Sequence, residues 1–93
     1  MVIERFKGGD PTPVGARFCE RGRMLPDGVE YLASWMTEDG AACYQIMRAP
    51  TRDALSPWTA AWGDLVDFEI VPVRTSVEFW AARDPGPPGA PAG

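Results

Sequence analysis

Asp39-Gly40 sits between two runs of strand-forming residues, Val29 to Thr37 and Ala42 to Ala49. An Asp-Gly pair flanked in this way is a strong hairpin signal, because glycine takes the positive φ that a tight turn needs. With Asp39 and Gly40 as the turn residues, the register follows. Trp35 faces Tyr44, Ser34 faces Gln45, Met36 faces Cys43 and Leu32 faces Met47. Side chains alternate along a strand, so one face carries Tyr31, Ala33, Trp35, Tyr44 and Ile46. The other carries Leu32, Ser34, Met36, Cys43, Gln45 and Met47.

The rest of the chain supplies partners for this hairpin. Val2 to Lys7 is β-prone and stops at Gly8-Gly9. Asp10-Pro11 is a helix start, with Asp as cap and Pro at the first helical position. Val14 and Phe18 follow at helical spacing, and the helix should end near Gly22, before the turn Leu25-Pro26-Asp27-Gly28. Pro50-Thr51 opens a second helical stretch whose apolar stripe is Leu55, Trp58, Trp62 and Leu65. Pro57 either kinks this helix or starts its regular part, with Ser56 as cap. Asp67 to Val73 reads as a fourth strand. Thr75-Ser76-Val77-Glu78 resembles a capping box and starts a short helix through Phe79, Trp80 and Ala81. Residues 84–93 are rich in proline and glycine and read as a frayed tail. The domain is then residues 1–83.

The order β-α-β-β-α-β in about 80 residues predicts an α+β, ferredoxin-like fold. It implies a four-stranded antiparallel sheet of order 4-1-3-2 with both helices on one face. The chain of 93 residues has room for one such domain.

Composition excludes several functions. The absence of histidine removes Ser-His-Asp and Cys-His catalysis, His-ligated haem and most zinc sites. Cys19 and Cys43 match no redox or metal spacing and read as reduced thiols. Nine cations are scattered among thirteen acids for a net charge of -4, which argues against nucleic-acid binding. No apolar run approaches the roughly 18 residues of a membrane span, and the first residues lack a signal-peptide layout. A cytoplasmic protein with no membrane or nucleic-acid partner is expected.

With the helices on one face, the other is expected to show Val2, Phe6, Leu32, Met36, Cys43, Met47 and Val71. So large an apolar face needs a cover, and a second copy packed sheet to sheet about a two-fold axis provides one. Such a homodimer encloses an interior, with Phe79 and Trp80 placed to grip the partner.

Met1-Val-Ile-Glu-Arg-Phe-Lys7, Gly15 through Gly28, Tyr31-Leu-Ala-Ser-Trp35, Cys43-Tyr-Gln-Ile-Met47 and Asp64 through Val73 resemble domain-of-unknown-function family 3303. The resemblance covers nearly all of residues 1–83. It implies a short bacterial domain of the dimeric α/β-barrel type. That superfamily includes cofactor-independent monooxygenases, polyketide cyclases, lactone isomerases, haem-degrading enzymes and plain binding modules, and a shared fold does not choose among them.

On the expected interior face, Glu69, Glu4 and Gln45 lie near the middle of neighbouring strands, followed by Ser34. They sit among Val2, Phe6, Met36, Met47 and Val71. Two carboxylates in one apolar cavity repel, so one should keep its proton, giving an acid beside a base. This arrangement suits cofactor-independent enolisation, isomerisation or cyclisation of a carbonyl compound, with Glu4 and Glu69 catalytic. Ser34, Gln45, Met36, Met47, Phe6 and Val71 would bind the substrate. Alternatively, these polar residues pair with Arg5, Arg48 or Arg74, or lie at the barrel mouth in water. Cys43 reads as a small apolar filler, and Trp58 and Trp62 as core. Trp35 and Tyr44 are expected beneath the helices. Glu4, Glu69 and Gln45 alone are too few ligands for a metal. Two readings stay open: a homodimer that binds, or binds and converts, a small, largely apolar molecule, and a non-catalytic structural or interaction domain with a filled interior.

Overall fold

The computed structural model describes residues 1–83; the tail expected at 84–93 lies outside the described residues. Strand β1 (Val2–Phe6) leads through a short 3-10 turn into helix α1 (Thr12–Arg21). Strands β2 (Glu30–Met36) and β3 (Ala42–Arg48) form the hairpin. A 3-10 turn at Arg52–Leu55 precedes helix α2 (Ser56–Trp62), then strand β4 (Val66–Ile70) and helix α3 (Ser76–Ala81). The sheet is antiparallel with order β2-β3-β1-β4, the strand order expected from the sequence.

The helix boundaries follow local chemistry. The Asp10 carboxylate accepts from the Thr12 N–H at 2.9 Å, which caps α1 from one residue before Pro11. At the other end Gly22 has φ 67°, and its N–H returns to the Phe18 carbonyl. Thr51 caps the 3-10 turn, and Pro57 sits in the first turn of α2, so it starts the regular helix instead of kinking it. The Thr75 hydroxyl accepts from the Glu78 N–H, the first bond of a capping box, and donates to the Glu78 carboxylate in place of the Thr75 backbone N–H, each at 3.0 Å.

The hairpin keeps its expected register near the turn, with Met36 opposite Cys43, Trp35 opposite Tyr44 and Ser34 opposite Gln45. The turn itself is longer than two residues. Thr37 and Ala42 are the last bonded pair, and Gly40 donates back to the Thr37 carbonyl at 2.9 Å. Gly40 still has φ 74°, and a Cβ there would also press on the Pro11 ring at 3.4 Å. A bulge at Leu32 shifts the pairing farther along, so Tyr31, not Leu32, faces Met47.

The two faces of the sheet are reversed from expectation. Val2, Glu4 and Phe6 of β1 and Cys43 and Gln45 of β3 are buried with Trp58 and Trp62 of α2, so the helices cover this face. Trp35 and Tyr44 lie on the uncovered face, 60% and 40% exposed. Strand β4 also differs in phase from the expectation. Glu4 pairs with Phe68, and Ile3 pairs with Glu69. Phe68 therefore turns inward, its ring centroid 5.0 Å from that of Trp58, while Glu69 turns outward.

Candidate functional site

A cavity of about 170 Å³ lies between the sheet and the helices. Strand β1 contributes Glu4 and Phe6, β2 contributes Ser34 and Met36, and β3 contributes Cys43 and Gln45. Val14 and Phe18 of α1, Trp58 and Trp62 of α2, and Arg23 of the loop before β2 complete the wall. The strand residues meet because alternation sends Glu4, Phe6, Cys43 and Gln45 to one face, and antiparallel pairing sets Glu4 opposite Cys43. The Trp58 and Trp62 pair is one helical turn apart, so both indoles point to the same side.

The loop is held by those indoles. Both Nε1–H groups donate to the Arg23 carbonyl, each at 3.1 Å. The flanking backbone is unusual: Gly22 has φ 67° and Met24 φ 58°, a left-handed conformation uncommon for a non-glycine residue. Held in this way, the Arg23 guanidinium stacks 3.6 Å from the Tyr31 ring centroid and 5.2 Å from that of Phe18. On the side of α1 that faces α2, Arg17 forms a two-pronged bond to Asp64 at 2.7 and 2.6 Å, tying α1 to the segment after α2. The Arg17 guanidinium holds Asp64 well below the usual carboxylate range, at about 2.

Two polar groups in the cavity have altered chemistry. Burial raises the pKa of Glu4, and the neighbouring Cys43 thiol and the charge of Arg23 pull it part of the way back. Burial and the nearby Glu4 charge push Cys43 up to about 11, which makes the thiol a poor nucleophile at neutral pH. Gln45 is only 4% exposed, and its amide Nε2 has no hydrogen-bond partner. A buried donor without a partner is costly, and such groups are rare in folded proteins.

Five of the eight residues expected at the site meet here: Glu4, Ser34, Gln45, Met36 and Phe6. The other three do not. Glu69 is on the opposite face, where Arg5 donates to its carboxylate at 2.9 Å. Val71 and Met47 line a separate hollow at the end of the sheet, with Met1 and Leu55. The paired-carboxylate site is therefore overturned, because successive residues of β4 point to opposite faces and Phe68 takes the inward position. Sequence reasoning did not bring Arg23 to the cavity. The signal was the pair Trp58 and Trp62, whose buried indole N–H groups need a carbonyl acceptor.

The raised pKa gives Glu4 a defined effect on stability. The folded state holds the Glu4 proton more tightly than the unfolded chain, so stability falls as pH rises from 4.5 through the folded-state value. Glu4→Gln keeps the shape and removes the buried charge. At pH 7 the variant should match the parent or exceed it by up to about 2 kcal/mol. The difference should disappear well below pH 4.5. Urea denaturation from pH 3.5 to 8 measures it; a variant less stable than the parent at pH 7 would show that the ionised carboxylate is needed structurally.

Residues 1–86 match the family model described as Domain of unknown function (DUF3303). No curated protein and no solved structure matches the chain. No helix among the described residues is long and apolar enough to cross a membrane.

Proposed function

We propose, for a chain that belongs to the DUF3303 family, that the cavity between sheet and helices binds a small, largely apolar molecule carrying a hydrogen-bond acceptor. The Gln45 amide carries this reading. It is a buried, unpartnered donor in a cavity walled mainly by aromatic and aliphatic side chains. An acceptor on a ligand would satisfy it, and the aromatic walls would bury the remainder. The volume suits one ring: an apolar cavity of about 150 Å³ holds benzene.

The chemistry open to such a ligand is narrower than two carboxylates would allow. Glu4 is the one acid–base group of ordinary reach in the wall, since Cys43 is held protonated and Arg23 stays charged. A proton moved at a ligand carbon or oxygen would go to or from Glu4, with Gln45 steadying a carbonyl oxygen. This is the chemistry of a cofactor-independent isomerase or cyclase. The rival is a non-catalytic domain with a filled interior; the cavity and the orphaned amide favour binding over it.

The test is an NMR titration with single-ring carbonyl compounds. The indole N–H signals of Trp58 and Trp62 and the Gln45 side-chain amide should shift together and saturate. Met36 is 51% exposed at the cavity wall, so Met36→Trp should close the site and remove the shifts while the fold persists. Shifts confined to the outer face, or none at millimolar concentration, would refute the binding reading.

The uncovered sheet face supports the second part of the proposal, a two-fold homodimer. It carries Ile3, Trp35, Tyr44 and Ile46, with the Arg5–Glu69 pair beside them. A two-fold interface sets the same patch of both copies together, and an apolar face whose charges are already paired within the chain loses little on being buried there. Two such sheets packed together would form the barrel-like dimer.

A further inference from the structure

The cavity offers more donors than acceptors, and this asymmetry narrows the ligand class. Building on the proposed binding role, we infer that the ligand is a single-ring carboxylate, with its ring between Trp58 and Phe6 and its carboxylate on Arg23 and Gln45. Among the described residues the ion pairs are Arg5–Glu69, Lys7–Asp67, Arg17–Asp64 and Arg48–Glu30. Arg23 belongs to none of them, although it is half-buried at the cavity wall. Its guanidinium is stacked on Tyr31, which fixes the plane of the fork; no carboxylate among the described residues lies within ion-pair distance, and the one carboxylate whose charge it feels is Glu4 of the same wall. A planar carboxylate accepts two parallel bonds from such a fork. Gln45 Nε2 supplies a further donor from the sheet side.

One group opposes an anion, the Glu4 carboxylate. The other titratable groups in the wall are Arg23 and the Cys43 thiol; α1 brings only Val14 and Phe18, and α2 only the two indoles. Burial already favours the protonated form of Glu4. An arriving carboxylate favours it further, and a protonated Glu4 would offer the ligand its O–H as another donor.

Benzoate, benzamide and toluene separate the possibilities, because they share a ring and differ in charge and acceptors. Binding is read from tryptophan fluorescence and from the Gln45 amide signal at neutral pH. Benzoate should bind at least tenfold more tightly than benzamide. Arg23→Gln should abolish that preference, weakening benzoate at least tenfold more than benzamide, and Arg23→Lys, which keeps the charge, should retain part of it. Circular dichroism checks that both variants fold. Equal binding of benzoate and benzamide, or a preference for toluene, would overturn the carboxylate assignment and leave the cavity as a neutral-ligand site. A benzoate preference that survives in Arg23→Gln would also overturn it. If none of the three binds at millimolar concentration, the binding role itself falls, and this inference with it.

Discussion

Trp58→Ala should destabilise the domain by about 3–5 kcal/mol, a large share of what a domain of this size possesses. Trp58 is 2% exposed and lies at the centre of the core with Val2, Leu55, Trp62 and Val66. Alanine leaves a void that the sheet cannot close, because β1 is held on both sides, by β3 and β4. It also removes the tilted contact with Phe68 and one of the two donors to the Arg23 carbonyl. Trp58→Phe separates these effects. It keeps most of the packing and loses the hydrogen bond, so it should cost about 1–2 kcal/mol. Urea denaturation of both variants is the measurement. A Trp58→Ala protein with an unchanged midpoint would mean that the indole is not packed as described.

Trp35→Glu should convert a particle of about twice 10.1 kDa into one of 10.1 kDa without loss of the fold. Trp35 is 60% exposed on the edge strand β2 of the uncovered face, across from Tyr44, so a charge there reaches water without entering the core of one chain. In the proposed dimer the new carboxylate would lose its water in a dry interface, where an unpaired charge is costly. Light scattering across micromolar concentrations reads the result. A parent protein that is monomeric throughout would remove the barrel-like dimer, yet it would leave the cavity intact, since every residue of its wall belongs to one chain. The same substitution at Met36 or Met47 would not test the interface, because those residues lie on the helix-covered side.

The comparison of sequence with structure divides along a physical line. Local signals were legible: Asp10 before α1, Gly22 after it, Thr75 and Glu78 at α3, and Gly40 in the turn all act through backbone groups a few residues away. The β2–β3 register was legible because a short turn joins the strands, up to the bulge at Leu32. The phase of β1 against β4 was not. Alternation separates each strand into two sets of side chains but does not say which set of one strand joins which set of another when some 60 residues separate them. Strand β4 offers Phe68 and Ile70 on one side and Glu69 and Val71 on the other, and pairing with Glu4 and Val2 settles the choice. The same long-range pairing decided which face the helices cover. Both faces hold apolar residues, so hydrophobicity alone does not choose between them. Arg23 was illegible for a related reason: it reaches the cavity only because two indoles from α2 capture its carbonyl.

The alternation of the sheet also ties its two surfaces together. Glu4 looks into the cavity and Arg5 looks out; Cys43 looks in and Tyr44 out; Ser34 looks in and Trp35 out. Each inward residue is thus joined to an outward one by a single peptide unit, about 3.8 Å from Cα to Cα. No layer of packing insulates one surface from the other. A displacement of the backbone that accommodates an occupant must be felt on the reverse side of the same strand, and anyone redesigning either surface inherits the constraints of both.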